Sequence, residues 1–205
     1  MRPDLATAHH GLAIHWNTRR RFEDALQEIR KTIELDPLTP LFQAHLGWIL
    51  HCSRRDEEAL RVLQSALDLH PGDYYLLRIL LYVCSTARRA DLALEAREKI
   101  AGHTKNKQVV SCLSGFAYAA AREVEQARKM VHELLAQPKV DPGIAYYLAL
   151  IQCMIGEKEE ALKWLEKAAE EKLGILIVLG PEPAFDPLRS EPRFQALLHK
   201  LDLLE

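Results

Sequence analysis

Alanine recurs every 34 residues along this 205-residue chain, at Ala25, Ala59, Ala93, Ala127 and Ala161, with no insertion or deletion across five copies. A fixed period of this length marks an array of structural units that bury their apolar faces against their neighbours. Such units share one continuous core, so one elongated domain is expected.

The alanine belongs to a wider register. Thirteen residues before it stand Leu12, Leu46, Leu80, Ser114 and Leu148, followed by Ala13, Gly47, Leu81, Gly115 and Ala149. Four residues after it stand Ile29, Leu63, Arg97, Val131 and Leu165, and Pro37 and Pro71 close the first two copies. Within each copy the apolar positions fall at helical spacing in two runs separated by a short polar break, which predicts a helix–turn–helix. Small residues of the Ala13 and Ala25 type sit where two helices approach closely, because a large side chain there would cost ~1–3 kcal/mol of overpacking.

With these residues in place, the chain resembles a tetratricopeptide repeat protein. Copy two carries the family pattern most fully, with Leu46, Gly47, Ala59, Leu63, Ala66 and Pro71. Copy one has Leu12, Ala13, Trp16, Ala25 and Pro37, and copy five has Leu148, Ala149, Gly156, Ala161 and Ala168. Copies three and four depart from it: Arg97 stands at an aliphatic position and Ser114 at a leucine position. The resemblance implies an all-α fold, a right-handed solenoid of five helix–turn–helix repeats at 6–39, 40–73, 74–107, 108–141 and 142–175. Residues 176–205 remain as an extended connection and a C-terminal capping helix of the same domain.

Composition narrows the function classes. A net charge of −2 argues against a nucleic-acid partner, which requires a clustered basic face. No apolar run approaches the ~20 residues of a membrane span, and the start Met1-Arg2-Pro3-Asp4 has no secretory core. Cys52, Cys84, Cys112 and Cys153 are widely separated, which reads as small buried hydrophobes in a reducing, cytoplasmic setting and not as disulfides or a zinc site. The nine histidines include no pair at metal-ligating spacing with a glutamate. Neither a phosphate loop nor a nucleophile elbow is present, so no catalytic residue, cofactor or metal is expected.

The turn inside each repeat has its own period. Arg20, Arg54, Arg88 and Arg122 recur, and Gly156 fills the fifth slot. Glu23, Glu57, Asp91, Glu125 and Glu159 follow three residues later, where a helix N-terminus favours acids by ~0.3–1 kcal/mol. The acids are expected to screen the arginines, leaving a solvated turn with local ion pairs.

In tetratricopeptide arrays the first helices of the pairs line a concave surface. Carried over copy by copy, the family's inward positions give the line Ile14, Trp48, Tyr82, Phe116 and Leu150. The flanking lines are His10, Ala44, Arg78, Cys112 and Tyr146, and Asn17, His51, Ser85, Ala119 and Cys153, with Tyr75 opening the third copy on the same side. The expected partner-binding groove is therefore Trp48, Tyr82, Phe116, Tyr75, Arg78, Tyr146, His51, His10 and Asn17, aromatic and apolar in character. Packing of these rings in the core and coverage of the groove by the chain's own tail are the competing readings.

Beyond the repeats, Ile175-Leu176-Ile177-Val178-Leu179 lies between Gly174 and Gly180-Pro181-Glu182-Pro183 and is expected to run as an extended connection. Ser190 is the expected N-cap of a last helix with Pro192 in its first turn. Phe194, Leu197, Leu198 and Leu201 form its apolar face. The stretch from Asp186 to Phe194 resembles the ends of tetratricopeptide arrays attached to bacterial signalling proteins. The likeness implies a bacterial regulatory setting. The expected function is a non-catalytic scaffold that holds a protein or peptide partner. Weak self-assembly, with the groove occupied by the chain's own or a neighbour's tail, is the alternative.

Overall fold

The computed structural model describes residues 3–137 and 143–203, the side chains from Leu5 onward. Among them the chain is all-helical. The elements are α1 (Pro3–Thr18), α2 (Phe22–Leu35), α3 (Pro40–Cys52), α4 (Asp56–Leu69), α5 (Tyr74–Thr86) and α6 (Ala90–Ala101), then α7 (Lys107–Ala120), α8 (Val124–Leu135), α9 (Ile144–Met154) and α10 (Lys158–Glu170). Two 3-10 helices (Gly174–Val178 and Pro183–Leu188) and α11 (Pro192–Lys200) complete it. The boundary expected at 141/142 between copies four and five lies outside the described residues.

The two helices of each pair differ in burial, and that difference sets the layers. α9 is buried along almost its whole length, whereas α2 buries only Ala25, Leu26, Ile29 and Thr32. An all-round apolar helix belongs inside and an amphipathic one at the surface. The odd-numbered helices α1 to α9 accordingly form the inner layer of a right-handed superhelix and the even-numbered ones the outer layer. The small residues mark the closest approaches. A Cβ added at Gly47 would lie 2.6 Å from Leu63 Cγ, and one at Gly115 would lie 2.7 Å from Ile151 Cδ1.

The turn period has a backbone cause. Arg20, Arg54, Arg88 and Arg122 all adopt left-handed conformations, with φ of 58°, 67°, 59° and 61°, and Gly156 in the same slot has φ of 88°. The next amide then reaches back to close the helix: Arg21 to Trp16, Arg55 to Leu50, Arg89 to Cys84, Glu123 to Tyr118 and Glu157 to Gln152, at 2.8–2.9 Å. This is the hydrogen-bond closure of a Schellman C-cap, repeated in every copy. The acids do not screen these arginines directly. Glu57 pairs instead with Arg89 at 2.7 Å, one repeat on, and Glu23 lies 3.7 Å from Arg55.

After α10 the chain folds back through the superhelix. Leu176, Leu179, Phe185, Leu188 and Phe194 are almost fully buried. The segment is two 3-10 helices and not an extended connection: the first spans Gly174–Val178, and the second has Pro183 in its first turn and Pro187 inside it. It packs on α9 and reaches α1: Gly180 lies against the Thr18 carbonyl, and Arg19 Nη1 donates to the Asp202 carbonyl at 3.2 Å. The tail thus bridges the last repeat to the first. The last helix is capped one residue later than expected, by Glu191, since Pro192 takes its first position.

Candidate functional site

The inner helices and the returning tail line an open-sided chamber of about 620 Å³. Trp48 from α3, Tyr75, Arg78 and Tyr82 from α5, Phe116 from α7 and Tyr146 from α9 all line it. The helical period brings these rings to one side, and they then touch edge-to-face. Tyr82 meets Phe116 with ring centres 6.4 Å apart, Phe116 meets Tyr147 at 6.1 Å, and Tyr146 meets Phe185 of the tail at 5.8 Å. Such contacts add ~0.5–1.5 kcal/mol per pair beyond burial. Phe116 and Tyr146 are buried, while Trp48, Tyr75 and Tyr82 keep part of their surface free. The aromatic line is therefore core on one edge and chamber wall on the other.

Three expected groove residues lie elsewhere. His51 is buried beneath the wall, its Nδ1 2.6 Å from Asp56 Oδ1 and its Nε2 2.7 Å from Thr86 Oγ1. Asn17 is fully buried beside the Cys52 thiol, and its amide finds no hydrogen-bond partner of good geometry. His10 is withdrawn from the chamber by His45, whose Nδ1 lies 2.6 Å from His10 Nε2. His45 itself lines the chamber, and its Nε2 is 2.8 Å from the Tyr75 hydroxyl. Burial, reinforced by the His10 charge, lowers the His45 pKa to about 4.

The residue that sequence reasoning missed most completely is Glu182. It comes from the tail, is 1% exposed, and lines the chamber. Its Oε1 accepts the Ala184 amide at 2.9 Å, and its Oε2 accepts the Tyr82 hydroxyl and, at 3.5 Å, the Tyr146 hydroxyl. Burial pushes its pKa up to about 7, against the opposing pull of His51, that amide and Arg54. The only sequence signal was a glutamate between two prolines, which reads as an exposed turn. Tyr147 and His45 were also missed, since each sits one register position away from the lines inherited from the family pattern.

The four cysteines are buried, free thiols, and burial raises the pKa of each. They are poor nucleophiles in that state. Among the described residues no group of three or more His, Cys, Asp or Glu could hold a metal ion, and no helix is long and apolar enough to cross a membrane.

A superhelix of paired helices around an aromatic inner face defines a helical-repeat scaffold. The sequence profile of the tetratricopeptide repeat matches residues 17–74 and 115–172, more than half of the chain, and the chain belongs to that family. No curated protein sequence matches it. Among solved structures it is similar to a thermophilic tetratricopeptide protein of Thermus thermophilus, with a TM-score of 0.63 and 17% identity over 88% of this chain and 98% of that one. It is also similar to PilF of Pseudomonas aeruginosa, with a TM-score of 0.58 and 16% identity over 98% and 92%. The pilus biogenesis factor PilW gives 0.55 and 16% identity over 96% and 92%. At these identities the likeness is one of fold.

Proposed function

We propose that the chain is a non-catalytic scaffold that holds a segment of a protein partner at the aromatic chamber of its concave face. The tetratricopeptide fold is generally a protein-binding scaffold. The observation that carries the reading for this chain is the chamber itself, which keeps free surface on Trp48, Tyr75 and Tyr82 after the tail is in place. An aromatic anchor buries ~150–250 Å² of surface, and ~25 cal/mol per Å² for a few such contacts, less ~4–15 kcal/mol of association cost, gives micromolar binding. The partner is a protein segment rather than nucleic acid, and the setting is a cytoplasmic bacterial regulator, as the Asp186–Phe194 stretch suggests.

Capture of the partner by the wild-type chain and by a Trp48→Ala, Tyr147→Ser variant tests this. Loss of capture by a variant that keeps its helicity supports the reading. Equal capture moves the site off the chamber. A second reading, self-assembly, rests on α1, where Leu5 and Leu12 are 38% and 43% exposed. Light scattering over a concentration series decides it: a monomer throughout removes the reading.

A further inference from the structure

The chamber holds a charge arrangement that a protein partner does not require. Arg78 stands one turn inside α5 among aromatic rings. Its Nη2 donates to the Tyr147 hydroxyl at 3.4 Å, and its guanidinium carbon is 5.8 Å from the centre of the Tyr74 ring. No carboxylate among the described residues forms an ion pair with it. A guanidinium in such a wall is the place where a planar anion gains charge-assisted, paired hydrogen bonds.

Glu182 also lines the chamber, held by Tyr82, Tyr146 and the Ala184 amide. Much of the remaining wall is apolar, with Trp48, Ile79, Phe116 and Ile144. Tyr74, Asn106 and Gly143, at the starts of α5, α7 and α9, line it too, and Asn106 is exposed. The chamber thus combines one guanidinium, an apolar wall and one buried carboxyl group.

We infer that the chamber is also a site for a single medium-chain aliphatic carboxylate, its head on Arg78 and its tail directed toward Trp48 and Phe116. The volume of about 620 Å³ falls inside the ~300–1,000 Å³ range of small-molecule sites. Arg78 is the only arginine or lysine among the described residues that line the chamber, which sets the position of the head. The inference stands apart from the protein-partner reading, because it needs only the chamber and Arg78.

Calorimetric titration of the full chain with decanoate, decan-1-ol and decylammonium tests it. Decanoate is expected to bind roughly tenfold or more tightly than the alcohol, the usual gain of a hydrogen bond to a charged group. Arg78→Gln should bring decanoate down to the affinity of the alcohol and leave the alcohol unchanged, and Arg78→Lys should keep part of the preference. Circular dichroism of each variant checks the fold, and the ranking of the three ligands on the wild type stands whether or not Arg78→Gln folds. Absence of decanoate binding, equal binding of acid and alcohol, or a preference for decylammonium would overturn the proposal. If decanoate fails while the partner is still captured through Trp48, the small-ligand site falls and the scaffold reading stands.

Discussion

The hydroxyl of Tyr82 donates to the carboxyl group of Glu182, 100 residues further along the chain. Tyr82 also packs on both halves of the hydrophobic core, so this contact joins the middle of the array to the tail that closes it. The tail is thereby part of the concave wall. The chamber is therefore lined by repeats plus tail, and not by the repeats alone.

Glu182 makes stability fall as pH rises. Its folded pKa of about 7 lies above the ordinary 4.5, so the folded state holds the extra proton between those values. The stabilisation is complete below about pH 4.5 and is lost on passing through about 7, a change of roughly 3 kcal/mol at ~1.4 kcal/mol per pKa unit. Glu182→Gln cannot titrate and keeps an acceptor for Tyr82. Urea melts from pH 4.5 to 8 should show the wild type losing about that much relative to the variant, with no further difference above pH 8. A parallel pair of curves would contradict it.

His45 acts in the opposite sense over an overlapping window. Its folded pKa of about 4 lies below the ordinary 6.5, so the unfolded chain binds more protons there and stability rises with pH until about 6.5. The two slopes offset each other in the wild type. His45→Gln should therefore expose the Glu182 slope, giving a variant whose urea midpoint falls steadily from pH 4.5 to 7.

Arg97 and Ser114, the two departures from the repeat pattern, are partners. Arg97 Nε donates to Ser114 Oγ at 3.1 Å across the α6–α7 contact. Arg97→Leu or Ser114→Leu alone should each destabilise by about 1 kcal/mol, one stranding a buried hydroxyl and the other crowding a guanidinium. The double variant restores the aliphatic pair of the other copies, and a coupling of ~0.5–3 kcal/mol is expected from the cycle of denaturation midpoints.

The turn arginines separate by what their side chains hold. Arg122 has φ of 61° and its charge opposes that of Arg88, so Arg122→Gly should raise stability by about 0.5–1 kcal/mol. Arg88 has the same backbone but donates to the Ala119 and Met154 carbonyls at 2.7 and 2.6 Å. Arg88→Gly should lower stability by about 1 kcal/mol or more. Thermal melts of the two variants, shifted in opposite directions, check this.

The repeat layers were legible because they follow from local periodicity: Ala25 and its equivalents fix the helix pairs, and Gly47 and Gly115 mark the close crossings. The turn arginines were visible as a period but misread as a charge feature, since a left-handed φ leaves no trace in the identity of an arginine. Six of the nine expected groove residues line the chamber. His51 and Asn17 lie deeper, because the third register line faces the helix layer beneath the wall. Glu182 was hidden for a different reason. Its burial depends on a long-range return of the tail, and a Pro-Glu-Pro string taken alone reads as surface.

The claim at the centre of this account is that partners are held at the chamber. The most direct measurement is site-specific photocrosslinking of the full chain to its partner, with the photoreactive residue placed in turn at Tyr75 on the chamber wall and at Arg61 on the outer helix α4. A covalent adduct is expected from position 75, competed away by excess unlabelled chain, and none from position 61. An adduct from position 61 with none from position 75 would contradict it.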